Sequence, residues 1–176
     1  MKITIASYEE AHAHLAASPT NFKHVVSIND PEKRPPETLE GHQARQLLLT
    51  FYDICEPLRV PQQHMPVRDH VDQIVWFARG IKQGDEVLVH CAAGISRSSA
   101  TALTILAHKE RHKNAQGARR AIVALLACKW LIRPNPILVK HADDVLGFKG
   151  HLTHACGETF LPSGQIVLPP GAKGRY

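Results

Sequence analysis

Val87-Leu88-Val89-His90-Cys91-Ala92-Ala93-Gly94-Ile95-Ser96-Arg97-Ser98 is the stretch from which the rest of the chain is read. Val87 to Val89 is a short aliphatic run behind the polar pair Asp85-Glu86, the pattern of a buried strand. Ser99 to His108 is nearly all small or apolar, with Ala100, Leu103 and Ala107 at helical spacing, the pattern of a buried helix. A strand that turns directly into a helix offers free backbone N–H groups and the positive end of the helix dipole, a ready anion site. Ala92, Ala93, Gly94, Ile95 and Ser96 let the backbone curl around a phosphate as a nest of N–H groups. Arg97 can close on two phosphate oxygens with its planar fork. A thiol on the floor of such a loop faces a positive field, which favours the thiolate. Cys91 is therefore a nucleophile under a phosphate cradle, an arrangement suited to phosphoryl transfer through a phosphocysteine.

His90-Cys91, five residues, then Arg97-Ser98 resembles the signature loop of the cysteine-dependent protein tyrosine phosphatases, and its wording is closest to the compact dual-specificity group. The strand before it and the helix after it make the motif specific, where a bare cysteine and arginine at this spacing would be weak. The resemblance covers Asp53 to Leu146. It implies that Ser98 hydrogen-bonds the cysteine sulfur and improves it as a leaving group, and that Asn135, in Arg-Pro-Asn-Pro, braces the fold behind the site. It also implies a general acid on a loop upstream of the cysteine. Asp53, in Phe-Tyr-Asp-Ile after a predicted strand, is the best match, and its rivals Asp69 and Asp72 fall inside a predicted helix. A second group is needed because a thiolate cannot protonate the leaving oxygen. His90 should point to the opposite side from Cys91 and order the loop from behind by hydrogen bonding.

Outward from this stretch the chain alternates strands and helices. Lys2 to Ser7 is a first strand, and Tyr8 to Ala17 a helix capped by Ser7. His24 to Ile28 is a second strand, and Glu32 to Thr38 a charged, proline-rich loop. Gln46 to Phe51 is a third strand, and Leu58 to Met65 a loop. Pro66 suits the first turn of a helix whose buried face is Val67, Val71, Ile74, Ala78 and Ile81, ended by Gly84. After the signature helix come an amphipathic helix through Ala118, Ala121, Ile122, Leu125 and Cys128, and a last one over Ile137 to Leu146 with Gly147 just past its end. The expectation is an α/β fold, a mostly parallel central sheet of four to five strands flanked by helices on both faces, as in the phosphotyrosine phosphatases. Residues 1–149 are expected to form the phosphatase domain. Residues 150–176, rich in Gly and Pro, read as a C-terminal tail with a small hairpin at Thr159 to Leu168.

Composition sets the remaining bounds. The 176 residues fit one domain, and 44% hydrophobic content is ordinary for a globular core. No run approaches the roughly 18 apolar residues of a membrane span, so no membrane insertion is expected, and the N-terminal apolar stretch is too short for a signal peptide. A formal charge of +5 suits steering toward anionic substrates. The basic residues are scattered without an aromatic platform, so no obligatory nucleic-acid partner is expected. The four cysteines are read as free thiols in a reducing, cytoplasmic setting, which a catalytic thiolate requires. Cys55, two residues after Asp53, reads as an inert thiol, with a reversible disulfide to Cys91 as the sharper alternative. His151, His154 and Cys156 have chelating spacing without a fourth ligand and read as solvated tail residues. No metal or cofactor is expected, because the loop itself supplies positive charge. The expected partner is a phosphorylated protein, dephosphorylated at phosphotyrosine, with pocket depth deciding whether phosphoserine and phosphothreonine are taken too. The alternatives are a phosphoinositide or RNA 5′-phosphatase on the same fold, disfavoured by the lack of lysine in the loop, and a catalytically silent phosphate-binding module.

Overall fold

The computed structural model describes residues 1–18, 20–34, 39–56 and 64–170. Most of the loop expected at Leu58 to Met65 and the end of that at Glu32 to Thr38 lie outside the described residues. The elements are β1 (Lys2–Ala6), α1 (Tyr8–Ala17), β2 (His24–Asn29), β3 (Arg45–Thr50), α2 (Arg68–Arg79), β4 (Glu86–His90), α3 (Arg97–Lys109), α4 (Ala115–Cys128), α5 (Pro136–Leu146) and α6 (His151–Thr159). The four strands form one sheet in the order β1-β4-β2-β3, parallel at every pairing. β4 is thus central, and the loop that follows it leaves the carboxyl edge between the ends of β1 and β2.

Both faces of the sheet are covered, and side-chain alternation along β4 decides which residue goes where. Val87, Val89 and Cys91 enter the larger core with α2 to α6, whereas Leu88 joins Ala11, Leu15, Phe22 and Val25 in a smaller core under α1. His90 continues the second set, its ring 6.3 Å from that of Tyr8 in an edge-on contact. α3 runs through the middle of the helical layer. Its Ala100, Ala102 and Ala107 are fully buried, and such small side chains let α2, α4 and α5 pack close around it. α1 starts as its sequence dictates, with a capping box in which Ser7 Oγ accepts from Glu10 N at 3.1 Å and Glu10 Oε2 accepts from Ser7 N at 2.7 Å. At the opposite edge of the sheet from the signature loop, the buried Asp85 accepts from Lys82 N at 2.8 Å and from Lys23 Nζ at 3.0 Å, and pairs with His24 Nε2 at 3.0 Å. These partners, the Lys82 N–H first, hold its carboxyl well below the usual range.

Three expectations are corrected. Pro66 lies before α2, not in its first turn, because the cap is made one residue later: His70 Nδ1 accepts from Val67 N at 3.2 Å. Gly84 does not end α2, which stops at Arg79, and Gly80 follows it. Arg45 packs against Gly80, donating from Nη1 to Phe77 O at 2.9 Å, and a Cβ at residue 80 would lie 2.1 Å from that nitrogen. Gly84 instead takes φ +90° in the turn into β4. The segment expected to be a tail from residue 150 begins with a helix, α6, which buries Leu152, Ala155, Cys156 and Thr159 against α4 and α5. Its first turn is capped from another element, since Asp143 of α5 accepts from Gly150 N at 2.6 Å and Thr153 N at 2.8 Å. Beyond α6 the chain turns back on itself, with a bridge between Phe160 and Ile166 and a Val167 N to Thr159 O bond of 2.8 Å.

Candidate active site

The loop between β4 and α3 is fixed from outside by its carbonyl groups. Ala92 O accepts from Tyr8 N at 3.1 Å, Ile95 O from Arg133 N at 3.0 Å, and Ser96 O from Ala100 N at 3.0 Å and Asn135 N at 3.3 Å. Ser99 Oγ adds a bond to Ser96 O at 2.9 Å and a second, short one to Ile95 O. The amide side is different. No N–H from Ala92 through Ser96 finds an acceptor among the described residues. Gly94 makes this curl possible. It takes φ +70°, and a Cβ there would stand 2.5 Å from Ser7 N and 2.6 Å from Ala6 C.

Cys91 is buried at the floor of the loop, its sulfur hydrogen-bonded to Ser98 Oγ at 3.2 Å. Arg97, 3% exposed, is gripped at Nη1, which donates to Phe51 O at 2.7 Å and to Asp30 Oδ1 at 2.8 Å. Its Nε is buried without a hydrogen-bond partner, and the nearest carboxylate oxygen, Asp53 Oδ2, is 3.9 Å away. Asp53 is brought to the same place. Its Oδ1 accepts from Ser96 Oγ at 2.6 Å and from Asn135 Nδ2 at 2.8 Å. Oδ2 has no hydrogen bond among the described residues.

Asn135 joins the acid loop to α5. Its Oδ1 caps the helix, accepting from Ile137 N and Leu138 N at 3.1 Å each, while Nδ2 donates to Asp53 and to Ile54 O at 2.9 Å. The residue expected only to brace the fold thus also touches the candidate acid. The rivals of Asp53 stand on the exposed face of α2, where Asp69 accepts from Gln73 at 2.8 Å and Asp72 lies 3.6 Å from Arg68.

His90 is buried on the far side from Cys91, as alternation requires, but the hydrogen bond expected of it is not formed. Neither ring nitrogen meets a partner among the described residues. Burial pushes its pKa down to about 4, with the nearby Cys91 backbone opposing. The neutral ring therefore acts as a packing element against Tyr8. Asp30 escaped the sequence reading. It follows β2 directly, and the end of a parallel strand beside a loop of this kind is where ligand contacts gather. All four cysteines are unpaired. Cys55 is exposed near Asn135 Nδ2, at 3.7 Å, and its thiol pKa is raised, by desolvation first and then by Asp53. Cys156 is buried in α6 and pushed up to about 12, so it is not a solvated residue, whereas His151 and His154 are exposed as expected, His154 pairing with Glu158 at 3.2 Å. Among the described residues no three His, Cys, Asp or Glu side chains come together as a metal site, and no helix is long and apolar enough to cross a membrane.

No protein-family model and no curated protein matches this chain. Solved structures do. Human DUSP28 is 16% identical with a TM-score of 0.59, over 84% of this chain and 94% of its own. The human tyrosine phosphatase-like serine/threonine/tyrosine-interacting protein is 20% identical with a TM-score of 0.62, over 84% and 92%. PTPMT1, solved in complex with PI(5)P, is 18% identical with a TM-score of 0.54, over 87% and 93%. At such identities the likeness is one of architecture, and it places this chain in the fold of the compact, dual-specificity-type phosphatases.

Proposed function

We propose that the chain is a metal-independent phosphomonoesterase that removes phosphate from phosphotyrosine in proteins through a phosphocysteine. The observation that carries this reading is the inverted polarity of the loop above Cys91. Its carbonyls are bonded outward to Tyr8, Arg133 and Asn135 while its amides from Ala92 to Ser96 have no acceptor among the described residues. The buried Arg97 Nε adds one more donor without a partner. The buried Nε left unmatched costs about 1–3 kcal/mol, and phosphate oxygens would satisfy it together with the loop amides.

The steps follow from the side chains. The Cys91 thiolate attacks phosphorus in line, the bond from phosphorus to the leaving oxygen breaks, and Asp53 gives that oxygen a proton. Oδ1 of Asp53 already accepts from Ser96 and Asn135, so Oδ2 is the oxygen that carries the proton. Water then attacks the phosphocysteine and passes a proton to the Asp53 carboxylate, and the phosphorus–sulfur bond breaks. Ser98, within hydrogen-bond distance of the sulfur, donates to the returning thiolate. Arg97 and the loop amides hold the equatorial oxygens throughout. A working Cys91 needs a reducing compartment, and we place the protein in the cytoplasm on that ground. The catalytic unit proposed is residues 1–149, with the segment from residue 150 seated on it through α6.

The test is phosphate release from a phosphotyrosyl peptide without added metal. Cys91→Ser should abolish it. Asp53→Asn should lower kcat by about 10²-fold or more, with a smaller loss on an activated aryl phosphate that leaves without help. Wild-type turnover should show a bell-shaped pH profile, since the cysteine must be ionised and the acid protonated. Release from a phosphoserine peptide reports whether the pocket admits shorter residues. Turnover confined to phosphoinositides or RNA 5′ ends would replace the protein substrate, and binding without turnover of any phosphate ester would leave a silent module.

A further inference from the structure

Beside the signature loop is a second cavity, of about 300 Å³, whose wall includes Tyr8, Glu9, Asp30, Lys33, Arg34 and Ala92. Ala92 belongs to the loop, and its carbonyl is bonded to Tyr8 N, so the cavity adjoins the proposed phosphate site through that residue. One side of it is the turn from Asp30 to Lys33, closed by a Lys33 N to Asp30 O bond of 2.9 Å. Asp at the first and Pro at the second position are the residues such a turn favours. The acids of this turn are engaged. Asp30 holds Arg97 at 2.8 Å, and Glu32 accepts a short hydrogen bond from the Tyr52 hydroxyl. Its cations are less so. Lys33 Nζ is 3.9 Å from Asp30 Oδ2 on a side chain that is 66% exposed, and Arg34 is exposed with no ion-pair partner among the described residues.

In the wall of the cavity Lys33 and Arg34 are matched in number by Glu9 and Asp30, so it carries no net charge. Asp30, however, is turned to Arg97, while Lys33 and Arg34 are exposed and make no close ion pair among the described residues, so their donors are open to one carboxylate. A multiply phosphorylated headgroup would need more, and the loop positions nearest it, Ala92 and Ala93, supply none. The Tyr8 ring and Ile28 give the remaining wall an apolar character that a peptide can cover.

Resting on the phosphatase reading above, we infer that this cavity is a specificity subsite that takes an aspartate or glutamate side chain flanking the phosphorylated residue of a peptide substrate, held by Lys33 and Arg34. The measurement is binding of fluorescent phosphotyrosyl peptides to the Cys91→Ser protein by anisotropy, with Asp, Asn or Lys at the flanking positions. The Asp peptide should bind about 3- to 10-fold tighter than the Asn peptide at low salt, the size expected of two exposed ionic contacts, and the advantage should shrink with added salt. Carrying Lys33→Ala and Arg34→Ala together should bring the Asp-to-Asn ratio close to one. Lys33→Glu with Arg34→Glu should shift preference to the Lys peptide. Equal binding of the Asp and Asn peptides, a preference that survives both alanines, or tighter binding of a short-chain phosphatidylinositol phosphate would each overturn the inference. Turnover of p-nitrophenyl phosphate by the wild type is read separately. Its absence beside an intact Asp preference would sink the enzyme reading and leave the subsite standing. Its presence beside equal peptide binding would do the reverse.

Discussion

Asn135 is where stability and chemistry can be separated by two substitutions at one position. Asn135→Ala removes an N-cap acceptor shared by Ile137 N and Leu138 N, about 1 kcal/mol. It also removes the donor to Ile54 O at 2.9 Å and to Asp53 Oδ1 at 2.8 Å, about 1 kcal/mol for the neutral bond and somewhat more for the charged one. Asp53 is one-third exposed, so water replaces part of its loss. The expected destabilisation is about 2–3 kcal/mol, read from urea unfolding. Catalysis should fall too, by about tenfold in kcat on a phosphotyrosyl peptide, because Asp53 is then held by Ser96 alone. An activated aryl phosphate, which needs little proton donation, should lose much less. Asn135→Asp restores the cap acceptor and sets a negative charge at the helix N-terminus, so it should regain about 1 kcal/mol. It also replaces the donor by a carboxylate oxygen at the same contact. Two carboxylates so close share a proton, so Asp53 stays protonated to higher pH and the alkaline limb of the profile moves upward. If Asn135→Ala is destabilised but slows both substrates equally, Asn135 is only a helix cap and the reasoning fails.

Further outcomes follow from the same geometry. Gly94→Ala must place a Cβ 2.5–2.7 Å from the Ser7 and Ala6 backbone at φ +70°, so it should cost about 2 kcal/mol or more and disrupt phosphate binding; an unaltered affinity for the phosphate analogue vanadate would contradict this. His90 titrates at about 4 in the fold against 6.5 in an open chain, so the unfolded state binds the proton first as pH falls. Stability conferred by the neutral ring is complete above about pH 6.5 and is lost by about pH 4, up to about 3 kcal/mol; His90→Gln should flatten this slope in unfolding free energies measured across the range. Asp85, whose pKa is depressed, adds a loss in the same direction at lower pH. Asp30→Ala frees Arg97 Nη1 of one of its two anchors and should raise KM for every phosphate ester alike by about tenfold, whereas unchanged KM values would show that Phe51 O alone orients the guanidinium. Cys128 and Cys156, pushed up to about 11 and about 12 by burial, should resist iodoacetamide at pH 7 in the folded protein, as peptide mapping would report.

What the sequence disclosed was what neighbours in sequence decide. β4, the loop and α3 are legible because an aliphatic run, a set of small residues and a run of small and apolar residues at helical spacing stand in one continuous stretch. α1 is legible for the same reason, with Ser7 and Glu10 three apart. α6 was not, although Leu152, Ala155, Cys156 and Thr159 have helical spacing. Gly150 and Gly157 argue against a helix locally, and what caps the first turn is Asp143 from α5, a tertiary contact that no window along the chain contains. The His90 hydrogen bond failed in the opposite sense. Alternation correctly put the ring behind the loop, but alternation says nothing of whether an acceptor waits there.

Asp30 and Asp53 show what strand order adds. All four strands are parallel, so the residues just past their ends meet along one edge: Ser7 and Tyr8 after β1, Asp30 after β2, Asp53 after β3 and Cys91 after β4. Neighbouring strands lie about 4.8 Å apart. β2 is next to β4, so Asp30 reaches Arg97 directly at 2.8 Å. β3 is one strand further out, about 10 Å from β4 by the same spacing, and the residues beyond its end must be drawn back over β2. Phe51 O does this through Arg97 Nη1, and Asp53 through Ser96 and Asn135. The need for Asn135 therefore comes from the order β1-β4-β2-β3. Had β3 stood beside β4, the acid would have required no tie to α5, and the cap of that helix would have carried no consequence for the chemistry.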